Sequence, residues 1–174
     1  MKNPQCLDIY PQMQDSLFWK KKSLREMTKQ EWELLCDGCA VCCLHKVEYE
    51  ETGEVFYTAV ACRLLDIAQC CCTAYADRFS QIPDCLHLTP ETVKKYRWLP
   101  ETCAYRLLSE GKDLPDWHPL ISGNPESVHI CGISLRDRVI SERYVNTDDL
   151  DAYILRGSRF LRPSGSLPKS CRNP

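Results

Sequence analysis

No apolar run in the sequence approaches the roughly 18 residues that a membrane-spanning helix needs, so no membrane partner is expected. The G-x-G-x-x-G and Walker loops are missing, as are Gly-x-Ser-x-Gly and His-Glu-x-x-His. Their absence argues against the common nucleotide-binding, serine-hydrolase and zinc-protease chemistries. A net charge of −2 gives no general attraction to nucleic acid. Met1-Lys2-Asn3-Pro4-Gln5-Cys6-Leu7-Asp8 has no apolar signal-peptide core, so a cytoplasmic chain is expected. No internal repeat or domain linker interrupts the 174 residues, enough for one domain with a real core. An apolar content of 44% and a charged content of 26% suit a soluble globular protein.

What the chain has in excess is cysteine, 13 in all. Four lie in one stretch, Cys36-Asp37-Gly38-Cys39-Ala40-Val41-Cys42-Cys43, spaced C-x-x-C-x-x-C-C. A Cys-x-x-Cys pair lets a tight turn aim two sulphurs at one ion, and Gly38 supplies backbone angles closed to other residues. Thiolates are soft ligands suited to zinc, iron or an iron–sulphur cluster. Cys36, Cys39 and Cys42 match the first three ligands of a bacterial ferredoxin run. The fourth position falls on Lys46, and Cys43 stands instead beside Cys42. A radical-SAM pattern starting at Cys39 and Cys43 also ends on Lys46.

Disulfides or inert thiols are the plainer readings. Adjacent Cα atoms lie about 3.8 Å apart, below the usual lower limit of about 4.4 Å for a disulfide. Cys42–Cys43 is therefore a poor bridge. In a cytosolic chain clustered, reduced cysteines point to metal.

Leu35-Cys36-Asp37-Gly38-Cys39-Ala40-Val41-Cys42-Cys43-Leu44-His45-Lys46 resembles the signature of the YcgN-like branch of the YkgJ-type CxxCxxCC proteins. These bacterial proteins are described as zinc- or iron-chelating, without a settled function. The resemblance continues through Val60-Ala61-Cys62-Arg63-Leu64, Pro83-Asp84-Cys85 and Trp98-Leu99-Pro100-Glu101-Thr102-Cys103, and covers about residues 16–150. It implies the metal-site cysteines Cys36, Cys39, Cys42, Cys43, Cys62, Cys70, Cys72, Cys85 and Cys103. Cys6, Cys71, Cys131 and Cys171 look like extras. Cys71 makes a run of three where the family has Cys-x-Cys, so the ligand choice within 70–72 stays open.

Taken in order, residues 1–15 read as a flexible arm broken by Pro4 and Pro11. Leu17, Phe18 and Trp19 begin apolar packing, and Lys20-Lys21-Lys22 reads as a solvated run. Thr28 and Glu31 form a capping box for a helix that delivers Cys36 at its end. Residues 44–50 and 54–60 alternate around Thr52-Gly53 as a hairpin that returns the chain at Cys62. His45 is a possible ligand or supporting donor, with a surface histidine as the plainer reading. Thr73 is expected to cap a short helix, and Thr89-Pro90-Glu91 to open one running to about Tyr96. A further helix spans 101–110 with Cys103 in its first turn and Gly111 closing it. Leu114-Pro115-Asp116-Trp117-His118-Pro119 is a rigid loop anchored by Trp117, with His118 a candidate polar site group whose plainer reading is structural hydrogen bonding. Residues 128–135 carry a β-like signal in which Cys131 packs as a small hydrophobe. A last helix covers 147–155. Residues 157–174 read as a disordered basic, dispensable tail with Cys171 an exposed free thiol.

The expected architecture is α+β: one compact domain over 16–156, mainly short helices with a β-hairpin, organised around cysteine-ligated metal. The expected function is metal binding through clustered cysteines, as iron (an iron–sulphur cluster) or zinc. Two alternatives use the same residues. One is a metal-dependent or redox enzyme with an open coordination position. The other is a structural zinc module for a protein partner.

Overall fold

The computed structural model describes residues 17–155 and residue 171. The expected arm over 1–15 and most of the tail lie outside the described residues.

Two short helices lead into the cysteine stretch. Phe18–Lys21 (α1) buries Phe18 and Trp19. Lys29–Leu34 (α2) starts with the expected capping box. Thr28 Oγ1 accepts from Glu31 N–H at 3.2 Å, and Glu31 accepts from Thr28 N–H at 2.7 Å. Two otherwise orphaned donors are thereby satisfied.

Leu44–Tyr49 (β1) and Glu54–Ala61 (β2) form the expected antiparallel hairpin. Gly53 turns it at φ +67° and donates to the Tyr49 carbonyl at 2.7 Å. The register shifts between Leu44 and Lys46, where β2 carries extra residues opposite His45. Thr58 fills that shift. It is fully buried, donates to the His45 carbonyl at 2.9 Å and accepts from Val60 N–H at 3.2 Å. A bulge re-aims the strand beyond it. Here it sets Cys62 N–H on the Cys43 carbonyl at 2.9 Å.

Leu65–Asp66 (β3) and Cys71–Cys72 (β4) make a small second sheet. Thr73 caps no helix; its hydroxyl donates to the Leu64 carbonyl and closes this turn instead. Arg78–Gln81 (α3) follows. The helix expected after Thr89 is only a 3-10 turn, Val93–Lys95. Thr89 and Thr92 bond reciprocally, each hydroxyl accepting the other's N–H, which closes the segment on itself. Ala104–Ser109 (α4) is shorter than expected, and Cys103 is its N-cap rather than part of its first turn. Gly111 has φ +72°, as a residue closing a helix requires.

Pro119–Ser122 (α5) is capped by His118. The β-like 128–135 segment is instead a helical turn, Ser127–Ile130 (α6), followed by tight turns. Ser127 Oγ donates to carbonyls of Trp117 and Asn124, holding the chain in a bend that a strand would break. Ile140–Ser141 (β5) adds parallel to β2, giving the order β1-β2-β5. The last element, Thr147–Tyr153, is a kinked 3-10 helix capped by Asn146 rather than a regular helix opening at Thr147.

The result is the expected α+β mixture, with the interior in two parts. One gathers Leu44, Ala61, Leu65, Trp117, Val128 and Leu135. The other gathers Phe18, Leu34, Leu35, Leu99, Ala104 and Tyr105. The cysteine stretch crosses between them. Among the described residues no helix is long and apolar enough to cross a membrane.

Candidate metal centre

The stretch is held in place before any ion is considered. Leu35, at the end of α2, is fully buried, and its carbonyl receives the Nε2–H of His118 at 3.0 Å. The other ring nitrogen of His118 accepts from Leu120 N–H at 3.1 Å, which fixes the tautomer. Burial holds this imidazole below its usual range, so it is a neutral structural link, as expected. Asp37 Oδ1 accepts from Cys39 N–H at 3.0 Å. Gly38 at φ +75° and Ala40 at φ +66° fold the knuckle on either side of Cys39. The Cys39 carbonyl accepts from Leu135 N–H at 3.0 Å, tying the stretch to the first core. Val41–Cys43 is a 3-10 turn leading directly into β1.

The thiols divide by surroundings. Cys39 belongs to the first core and Cys43 packs on it, while Cys36, Cys42 and Cys103 pack against the second. These five form an inner group on the seam. Burial first, then the Asp37 carboxylate, pushes Cys36 and Cys39 well above the usual thiol range. Burial pushes Cys103 up to about 12. Cys42 and Cys43 are joined by a side-chain hydrogen bond. The hydrogen bond from Cys43 brings Cys42 down to about 7 and pushes Cys43 up. Lys46 supports the Cys42 thiolate. Its ammonium donates to the carbonyls of Cys42 and Leu44 and lies 4.2 Å from the centre of the Trp98 ring.

Cys62, Cys72 and Cys85 form an outer group that belongs to neither core. The hairpin brings Cys62 beside Cys43, as expected, and Cys72 faces Leu65 across the β3–β4 pair. Burial raises Cys62 and Cys85, and each also feels the Cys72 sulphur. Cys70 takes φ +52°, sits in the first core with Cys39 and has Ser134 and Arg136 beside its thiol. Cys71 is disulfide-bonded. Cys171 is neither exposed nor free. It is 1% exposed and bridged to Cys131 with Cα atoms 5.5 Å apart. Cys131 is thus half of a bridge rather than a packing thiol. Cys6 lies outside the described residues.

One residue that braces the chain beside the thiols has no signal in the sequence. Glu142, just after β5, bonds the ring of His45, and its other oxygen accepts from Arg63 N–H at 2.9 Å. It clamps the residues that follow Cys43 and Cys62. His45 is thus engaged by Glu142 as a support. Glu142 lies 97 positions from His45, so no local spacing could reveal it.

Among the described residues, no three Cys, His, Asp or Glu side chains are gathered as a formed ligand set. The donor chemistry nevertheless fits an ion. Five thiols, Cys39 buried and Cys36, Cys42, Cys43 and Cys103 half-buried, lie about the seam, and Asp37 Oδ2 is buried with no hydrogen-bond partner among the described residues. A cation would displace the thiol protons and answer the carboxylate. Cys36, Cys39, Cys42, Cys43 and Cys103 are the residues that would hold it.

Residues 35–104 match a family model, CxxCxxCC, described as "Putative zinc- or iron-chelating domain". A UPF0260 protein of Granulibacter bethesdensis is 56% identical over 147 residues, covering 84% of this chain and 87% of the relative. The chain belongs to the UPF0260 family. A UPF0260 protein of Rhizobium leguminosarum bv. trifolii is 52% identical over 143 residues, covering 82% of this chain and 89% of its own length. One from Cellvibrio japonicus is 54% identical over 140 residues, covering 80% and 95%. No solved structure matches the chain. The chelating-domain match supports metal binding in general.

Proposed function

We propose that this UPF0260 protein, of the YcgN-like branch, retains iron or zinc through its inner thiols, with Cys62, Cys72 and Cys85 as an adjoining group. The observation that carries the reading is the seam itself. Thiols from two distant parts of the chain pack on the two cores that flank the cysteine stretch, and an ion there would replace thiol protons. Ferredoxin-like spacing of Cys36, Cys39 and Cys42 favours iron, as an iron–sulphur cluster. Zinc is the second reading, favoured by the unpartnered Asp37 oxygen, because zinc accepts carboxylate beside thiolate. The unbridged cysteines clustered at 36–43 suit the reducing cytoplasm.

The test is the metal content and absorption spectrum of protein purified without oxygen. Brown protein with a broad band near roughly 400 nm, as iron–thiolate chemistry gives, supports the cluster. Colourless protein with stoichiometric zinc selects the second reading. Folded, metal-free protein from cells supplied with both metals overturns both.

A further inference from the structure

The C-x-x-C-x-x-C-C pattern draws attention to sulphur and passes over Asp37. We infer that Asp37 Oδ2 is itself a ligand, making the inner site a mixed sulphur–oxygen one. This rests on the proposed metal binding and holds for either ion.

The carboxylate is 7% exposed. Its Oδ1 is used by Cys39 N–H, which fixes the direction of the group. Its Oδ2 has no hydrogen-bond partner among the described residues. A buried polar atom left unsatisfied destabilises a fold, and an unanswered charge does so far more. Asp37 stands between Cys36 and Cys39 in the chain, and its charge is felt by the thiols of Cys36, Cys39, Cys42 and Cys103 and by the rings of His118 and His129. The basic groups around it are otherwise engaged. His118 uses both ring nitrogens on Leu35 and Leu120, and burial keeps it neutral. His129 bonds Ser134 and is likewise kept neutral by burial. Lys46 bonds two carbonyls and covers Trp98.

A divalent cation held by the surrounding thiolates supplies the missing partner. The oxygen also sets selectivity. Carboxylate suits borderline ions such as zinc and ferrous iron, whereas copper(I) prefers an all-sulphur shell. An inner site with Asp37 in it therefore favours the former over the latter. The residue adjacent to the first cysteine would act as a filter against the softest competitor.

Asp37→Asn separates the roles. The amide keeps an oxygen to accept from Cys39 N–H and removes the anionic oxygen. Full-length protein is stripped and reloaded with zinc alone, and the zinc shell is read by X-ray absorption. The wild type should show an oxygen at about 2.0–2.2 Å beside sulphur at about 2.3 Å. Asp37→Asn should lose that oxygen and bind zinc at least roughly tenfold more weakly in chelator competition. Its copper(I) affinity should be unchanged, which also shows that the thiols and fold are intact. Full zinc with an all-sulphur shell in the wild type overturns the assignment and leaves the metal reading standing. So does wild-type zinc affinity in Asp37→Asn. A wild type that takes up no zinc and carries no iron overturns the metal reading and this assignment with it. Should Asp37→Asn fail to fold, the wild-type shell alone decides.

Discussion

Gly38 and Ala40 bear the same backbone burden in different ways. Both take left-handed angles around Cys39. A Cβ on Gly38 would meet nothing within 4 Å, so Gly38→Ala suffers from the dihedral alone. That costs about 1–2 kcal/mol. Ala40 already bears the strain, but its methyl is buried in the first core. Ala40→Gly relieves about 1 kcal/mol of strain and gives up about 0.8 kcal/mol of apolar burial. The two nearly cancel. Denaturant midpoints should therefore fall clearly for Gly38→Ala and hardly move for Ala40→Gly. The residue scale also separates ligands from bystanders. Cys39→Ser should lower metal per chain, whereas Cys70→Ser, whose thiol faces Ser134 and Arg136, should leave it unchanged. Equal metal loss in both would bring Cys70 back into the ligand set.

At the scale of elements, α2 is the piece that places Cys36, and its capping box can be tested by pH. The hydrogen bond from Lys22, then that from Thr28 N–H, holds the Glu31 carboxyl below its usual 4.5. A carboxyl depressed in the folded state stabilises it above the unfolded value and ceases to do so as pH falls through the folded one. Between neutrality and about pH 4.5 the wild type should therefore be more stable than Glu31→Gln. On further acidification the gap should close, read as the difference in thermal midpoint. A gap independent of pH would mean that Glu31 acts through packing alone. Thr28→Ala should cost about 1 kcal/mol. This box and the hairpin were legible in the sequence because both are written in neighbouring residues: Thr28 with Glu31, and alternation about Gly53. The elements that misled are set by distant partners. The β-branched and apolar residues at 128–135 favour a strand locally. Val128 instead turns inward fully buried while Ser127 holds the Trp117 carbonyl. Of the candidate site, the inner stretch and the return at Cys62 were readable. The Glu142 clamp and the setting of Cys70 beside Ser134 and Arg136 were not, because each depends on chain brought in from far along the sequence.

Two stitches, the Cys131–Cys171 bridge and the proposed ion, can be ranked by their magnitudes. The Cys131–Cys171 bridge closes a loop of 40 residues and lies in the first core. Chain-entropy reasoning gives such a bridge about 4 kcal/mol. The proposed ion lies on the seam between both cores. Structural zinc contributes on the order of 10–16 kcal/mol in small peptides, against a whole-domain stability of about 5–15 kcal/mol. Losing the bridge should thus weaken the fold, and losing the ion should undo the region around it. Deleting residues 157–174 is accordingly not silent, because the deletion takes Cys171 with it. The deletion, Cys131→Ser and Cys171→Ser should each lower the thermal midpoint by on the order of 10 °C. Metal per chain should stay at the wild-type value in all three, since neither residue belongs to the thiol groups on the seam. Cys42→Ser should instead lose metal and thermal stability together. The decisive comparison is Cys171→Ser against Cys42→Ser, measured for metal content and melting on the same preparations. Parallel loss of metal in both would show that the bridge reaches the seam, and the two stitches would then be one.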